Sequence, residues 1–192
     1  MSPFLRAQVR KHMKREMIAE ESGQALLEFS VLFIALCILV FGIIDFGRAI
    51  YDMEVMTNLV AEGSSMASRG TSPTATAQTV VTDAGADINI GAVGCVIVTA
   101  VTNVGPNAYN VTAQASQGGI ACTSKIGCLQ GQGTCTGSTA TLPASATSVL
   151  SEESLGATIY TTEILYNYRA ITPVPALLGT TMPSQLYAVA YY

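Results

Sequence analysis

The stretch QALLEFSVLFIALCILVFGII, residues 24–44, decides how this chain is organised. It is 21 residues long, and Glu28 is its only charged residue. At helical rise such a stretch extends about 31 Å, close to the thickness of the hydrocarbon core of a bilayer. A helix that is apolar on every face over this length is rarely the core helix of a soluble protein. The stretch therefore predicts a transmembrane helix, with membrane lipid as its surroundings.

Basic residues indicate the orientation of this span. Five of the nine Lys and Arg residues lie among the first fifteen positions, whereas Arg48 on the other side is followed by no basic residue until Arg69. Because basic flanks stay in the cytoplasm, we expect residues 1–23 to form a cytoplasmic leader and residues 45–192 to be exported. A cleavable secretory signal is the main alternative, but its apolar region is shorter, roughly 7–15 residues, and ends at an Ala-x-Ala-like site that is missing here.

Glu28 is unfavourable inside a membrane, since inserting an ionised carboxylate into hydrocarbon costs at least a few kcal/mol of free energy. No Lys or Arg lies between Arg15 and Arg48 to neutralise it. One interpretation is that Glu28 reaches the headgroups or is protonated. The other is that the chain is cleaved after Gly23. Gln24 then carries a new α-amine one helical turn from Glu28, and this amine, or that of a neighbouring subunit, pairs with the carboxylate.

The residues around this position carry a family resemblance. Gly23-Gln24-Ala25-Leu26-Leu27-Glu28-Phe29 resembles the processing site of type IV prepilins, with a glycine, a glutamate five residues on and then an aromatic residue. The resemblance implies cleavage between Gly23 and Gln24 by a prepilin peptidase, a membrane aspartyl protease, with the apolar helix kept on the mature chain. Phe29 stands where many Flp-type pilins have tyrosine.

Further segments narrow the resemblance to the TadE-like family of tight-adherence (Flp) pilus systems. These segments are Asp45-Phe46-Gly47-Arg48-Ala49, Ala61-Glu62-Gly63, residues 162–168 and Ile171-Thr172-Pro173. The resemblance extends over residues 22–70 and 156–178 and is absent over residues 71–155. It implies a minor pseudopilin of the bacterial inner (cytoplasmic) membrane, with its C-terminal domain in the periplasm. It also implies that Glu28 and Phe29 serve in assembly with other pilins or pseudopilins, in a system that mediates cell adhesion.

Residues 45–70 are predicted to continue the helix, because apolar residues recur near helical spacing up to Gly70. We expect the resulting apolar stripe to pack on the following domain. Its members are Phe46, Ala49, Ile50, Met53, Met56, Val60 and Ala67.

Residues 71–192 are predicted to form an exported α+β domain. Gly94–Thr102 and Tyr109–Gln114 have the composition of strands, and Gly105-Pro106-Asn107 between them is typical of a turn. Two further strands are predicted at residues 156–170 and 186–192. The sequence thus indicates a pilin-like α+β fold, with a long N-terminal helix, transmembrane and then amphipathic, packed on a small antiparallel sheet.

Four cysteines lie on the exported side. Cys122, Cys128 and Cys135 fall in a Gly, Ser and Thr-rich loop at residues 116–146, and Cys95 lies in the first predicted strand. In an oxidising compartment they predict two disulfide bonds with three possible pairings. Free thiols are the alternative. A zinc site is disfavoured, because the Cys-x5-Cys-x6-Cys spacing is not that of a zinc knuckle.

The exported part lacks the residues that most catalytic sites need. His12, the only histidine, lies in the leader at residues 1–23, and Lys125 is the only lysine after the leader. We therefore expect no enzyme, no metal, no cofactor and no small-molecule substrate. Four basic against nine acidic residues from Asp45 onward disfavour a nucleic-acid partner. Two alternatives to the pseudopilin stay open: an uncleaved bitopic anchor that displays a binding or adhesion module, and, disfavoured by the missing residues, an anchored hydrolase.

Overall fold

A computed structural model describes residues 3–85, 88–129, 135, 137–173, 176, 179 and 183–192, with side chains from Gly23 onward. The chain divides into two compact units. The first comprises Met1–Phe46 and Thr172–Thr180, and the second comprises Gly47–Ile171 and Thr181–Tyr192.

Helix α1 runs from Pro3 to Ser68 and contains the apolar stretch. Most side chains between Gln24 and Ile44 are exposed, as a lipid-facing helix requires. Within the described residues, this is the one helix that is long and apolar enough to cross a membrane. The long apolar N-terminal helix predicted from the sequence is therefore confirmed.

The second unit is built on a five-stranded antiparallel sheet in the order β3-β2-β1-β4-β5. The strands are β1 (Gly94–Gly105), β2 (Ala108–Gly118), β3 (Ser138–Thr139), β4 (Thr158–Tyr166) and β5 (Leu186–Tyr191). The predicted hairpin is β1 and β2, and its turn contains Asn107 with a positive φ of 56°, a conformation that asparagine tolerates. The short strand β3 has no counterpart in the sequence prediction, because two residues carry no periodicity.

Helices cover the first face of the sheet. They are the outer part of α1, α2 (Pro73–Ala84) and α3 (Ile90–Val93). Met56 and Val60 of α1 pack with Val96 of β1 and Ile164 of β4 in one buried cluster. The predicted α+β arrangement of a long helix packed on a small antiparallel sheet is confirmed.

The packed stripe of α1 differs in part from the predicted one. Ala49, Met56, Val60 and Ala67 belong to the cluster against the sheet, but Phe46, Ile50 and Met53 are exposed. Asp52 and Gly63 occupy the packed side instead. Gly63 permits a close approach, because an added Cβ would lie 2.9 Å from Val80 Cγ2 and 3.0 Å from Thr162 Oγ1.

The second face of the sheet is covered by the segment between β2 and β4, which includes helix α4 (Ala144–Glu152). Ile126 and Leu150 from this segment are buried with Val101 of β1 and Val111 of β2. The described residues of the predicted loop at 116–146 therefore cover the sheet, and they include the end of β2, the strand β3 and the start of α4. Residues 130–134 and 136 of this loop lie outside the described part of the chain.

Candidate assembly site

The predicted processing and assembly residues lie on consecutive turns of α1. Gly23, Gln24, Glu28 and Phe29 are all exposed. The Gln24 side-chain amide donates to Glu28 Oε1 at 3.4 Å, which places both side chains on one face. The Phe29 ring stacks with that of Phe33 at a centroid distance of 6.0 Å.

Glu28 thus has a neutral neighbour within its own chain. In the part of α1 whose side chains are described, no Lys or Arg forms an ion pair with it, and Arg48 lies twenty positions further along the helix. An amide does not neutralise a carboxylate, so the described part of the chain supplies Glu28 with no opposite charge inside the apolar stretch. The arrangement is suited to accepting a cation from another source.

A second carboxylate lies directly after the apolar stretch and is fully satisfied. Asp45 is buried, its Oδ1 accepts the Thr172 backbone N–H at 3.2 Å, and its Oδ2 accepts the Thr172 hydroxyl. The two residues are 127 positions apart in the chain. They belong to two of the segments that carry the predicted family resemblance, and local sequence patterns do not predict a contact between them.

The four cysteines of the predicted exported part lie on the second face of the sheet and form two disulfide bonds, whereas Cys37 of α1 has a free thiol. Cys95 of β1 is joined to Cys122, and Cys128 is joined to Cys135. The first bond ties the segment that follows β2 to a buried residue of the central strand. The structure thereby selects one of the three pairings that the sequence left open.

Glu163 of β4 fixes the same segment by hydrogen bonds. Its side chain is 0% exposed. Oε1 accepts the Lys125 backbone N–H at 2.9 Å and the Tyr187 hydroxyl at 2.7 Å, and Oε2 accepts the Ser124 hydroxyl. These three hydrogen bonds offset the free-energy cost of removing the carboxylate from water.

Tyr187 and Lys125 complete this cluster. Burial raises the pKa of the Tyr187 phenol above its ordinary value, and Glu163 adds to that shift, so the hydroxyl stays protonated as a donor. Lys125 Nζ lies 3.7 Å from the centre of the Tyr187 ring, a cation–π contact. Ser124 donates to Glu163 and the Lys125 amine faces an aromatic ring, so these neighbouring residues are not arranged as nucleophile and base.

Asp52 is a second buried carboxylate of this unit, but it does not have a full set of hydrogen-bond donors. It lies on the packed side of α1 and is 1% exposed, and its Oδ2 has no hydrogen-bond partner among the described residues. Burial raises the pKa of Asp52, and the charge of Arg48 one turn earlier partly offsets this effect. Burial and the nearby Asp52 charge raise the pKa of Tyr166 as well.

Sequence reasoning singled out Glu28 and the cysteines as site residues. It quoted Asp45 and Glu163 only within segments that carry the family resemblance, and it missed Asp52. A signal existed for each of the three. Glu163 interrupts a strand of otherwise uncharged residues. Asp45 and Asp52 are seven positions apart, two helical turns, which is the spacing of one helix face.

Comparison with known proteins supplies one match. A family model described as TadE-like protein matches residues 23–65, which confirms the TadE-like resemblance over most of residues 22–70. The resemblance over residues 156–178 stays a prediction. No curated protein and no solved structure matches the chain. The TadE-like family is a pilus-associated structural family. Its match, together with the apolar N-terminal helix, fits a single-pass membrane protein associated with a Tad pilus.

Proposed function

We propose that this chain is a minor pseudopilin-like subunit that acts in the assembly of a tight-adherence (Flp-type) pilus. A prepilin peptidase cleaves it between Gly23 and Gln24 on the cytoplasmic side of the bacterial inner membrane. The mature chain keeps its apolar helix as an anchor and carries residues 45–192 on the periplasmic side. Its partners are other pilins or pseudopilins of the same system.

The observation that carries this proposal is the contact of Glu28 with the neutral Gln24 amide, the residue that would begin the mature chain. Gln24 and Glu28 face each other across one turn of α1. Cleavage converts the Gln24 nitrogen into an α-amine, which is positively charged at neutral pH. An amine and a carboxylate attract strongly in a medium of low dielectric constant. The amine of one subunit can therefore pair with Glu28 of the next, so that assembly neutralises both charges.

The peptide bond to be cut lies inside α1 in the uncleaved chain. Gly23 is exposed, and an added Cβ there would have no atom within 4 Å. Glycine lowers helix stability by about 1 kcal/mol relative to alanine. The helix is therefore easier to open at Gly23 than at its neighbours, which favours entry of this bond into a protease site.

The direct test is the intact mass and N-terminal sequence of the protein recovered from its native membrane. We expect a chain that begins at Gln24 and retains residues 24–44. The same protein expressed without a prepilin peptidase is the control and should begin at Met1. A native chain that still carries residues 1–23 would refute the processing step.

The uncleaved binding module remains the second candidate because one feature of the exported domain favours it. The segment 119–129 is held to the sheet by the Cys95–Cys122 bond and by Glu163, so it presents a pre-organised surface. The N-terminal analysis separates the two functions, since a binding module of this kind requires no cleavage.

A further inference from the structure

The chain returns to the outer end of the apolar stretch after β4. Thr172 donates its backbone N–H and its hydroxyl to Asp45, the residue that directly follows Ile44. The segment Thr172–Thr180 belongs to the same compact unit as Met1–Phe46. If the stretch at residues 24–44 spans the hydrocarbon core, Asp45 lies at the core boundary, and Thr172 is held at the same depth.

The composition of the chain around Thr172 suits a lipid boundary. No Asp, Glu, Lys or Arg occurs after Arg169, so residues 170–192 are uncharged. Ile171 is 67% exposed although it is large and apolar. Ile43 and Ile44, which directly precede Asp45 on α1, and Phe46, which follows it, are exposed as well.

The Thr172 contact also explains how Asp45 tolerates this depth. A carboxylate beside hydrocarbon must find donors within the protein, because few water molecules are available there. Two donors from Thr172 meet that need. The same contact that shields Asp45 therefore fixes the neighbouring Ile171 close to the boundary.

We propose that Ile171 inserts into the boundary between headgroups and acyl chains, in the leaflet on the Asp45 side of the span. Thr172, by binding Asp45, holds it there. The occupant of this apolar surface is lipid, since Thr172, the next residue in the chain, is bound to the residue that directly follows the apolar stretch, and residues 170–192 carry no charged side chain. The inference rests on the membrane span of the proposed function, but not on cleavage or on any role in a pilus.

The test uses the full chain in lipid vesicles, with Cys37 replaced by alanine and the four disulfide-bonded cysteines kept. A nitroxide label is attached to a single cysteine at Ile171, Leu155 or Leu36. These side chains are 67%, 72% and 58% exposed, so they are matched in type and exposure. Leu36 lies within the span and Leu155 in the exported domain. Collision of each label with oxygen, which enriches in lipid, and with a water-soluble nickel complex is then measured.

We expect the oxygen-to-nickel collision ratio at position 171 to be several-fold above that at position 155 and to approach that at position 36. Thr172→Val should lower the ratio at position 171, whereas Thr74→Val, at an exposed position of α2, should not. A water-like ratio at position 171 with a lipid-like ratio at position 36 would overturn the lipid contact and leave the span intact. Poor access of both reagents to position 171 would also overturn it, because protein would then cover the residue. A water-like ratio at position 36 would remove the membrane span, and this inference with it.

Discussion

Glu28 and Glu163 both lie in uncharged stretches of the sequence, but they differ in burial and in hydrogen bonding. Glu163 is buried in the sheet of the second unit and accepts three hydrogen bonds from Ser124, Lys125 and Tyr187. Glu28 is exposed on α1, and its contact within the chain is with a neutral amide. The Glu163 carboxylate is saturated by donors of its own chain, and the exposed Glu28 carboxylate is available to a second molecule.

This difference separates two kinds of sequence constraint. Removing a satisfied buried group strands its donors and destabilises the fold. Removing an unsatisfied group on an exposed face leaves the fold intact and affects only what binds there. Replacing Glu163 should therefore lower stability more than replacing Glu28 does. Replacing Glu28 should have the larger effect on assembly.

The largest loss of stability is expected for Glu163→Ala. It leaves two hydroxyls and one backbone N–H without their acceptor in a buried site. Since each stranded buried donor costs roughly 1–3 kcal/mol, we expect the free energy of unfolding of the exported domain to fall by about 4 kcal/mol. Chemical denaturation of the full chain in detergent, followed by circular dichroism, measures it.

Two variants control this result. Glu153→Ala removes an exposed carboxylate next to α4 and should change stability by less than about 0.5 kcal/mol. Tyr187→Phe removes one of the three donors and should give an intermediate loss of about 1–2 kcal/mol. Equal stability of Glu163→Ala and the parent chain would show that the cluster does not hold the segment to the sheet.

Loss of the Cys95–Cys122 bond should have the next largest effect. This bond closes a sequence separation of 27, whereas Cys128–Cys135 closes one of 7. By the chain-entropy relation, removal should cost about 3.5 kcal/mol for the longer loop and about 2.5 kcal/mol for the shorter one. The two double-alanine variants are compared by the same denaturation. The reverse order of the two losses would contradict the entropic account.

Local patterns were sufficient to predict the apolar helix, the β1–β2 hairpin and the disulfide-forming cysteines. The packed side of α1 was not predictable in this way, because residues 45–70 carry apolar residues on more than one side. The choice is made by groups distant in the chain, since Thr162 and Val80 lie close to Gly63 on the packed side. The Glu163 cluster escaped prediction for the same reason, since Ser124 and Tyr187 come from separate segments.

Asp52→Asn should give a smaller change, and a stabilising one. Burial raises the pKa of Asp52, so the folded chain binds this proton more tightly than the unfolded chain does. Proton binding by Asp52 therefore adds to the free energy of unfolding, and this contribution is fully present below the ordinary pKa of 3.8. It is lost as the pH rises through the folded pKa. Above that pH the parent chain holds a buried charge that asparagine lacks. We expect a gain of about 1 kcal/mol at neutral pH and a flatter stability profile at acidic pH.

The control for Asp52→Asn is Glu54→Gln, two residues further along α1 and exposed. It should leave both the stability and its pH profile close to those of the parent chain. A loss of stability in Asp52→Asn at neutral pH would mean that the attraction of Arg48 outweighs the cost of burial.

Glu28→Gln should have the smallest effect on stability and the most specific effect on assembly. Glutamine keeps the side-chain length and the contact with Gln24 while removing the charge, so unfolding of the exported domain should be unchanged within about 0.5 kcal/mol. Cleavage after Gly23 should also proceed, since the glycine is retained. The pairing with a neighbour's α-amine is lost, however, and pilus production should fall sharply. Counting pili on cells that carry the variant, alongside the N-terminal sequence of the recovered protein, separates the two steps. Normal piliation from a correctly cleaved Glu28→Gln chain would show that the uncompensated charge is not what joins the subunits, and Glu28 would then have to be explained by its contact with the headgroups alone.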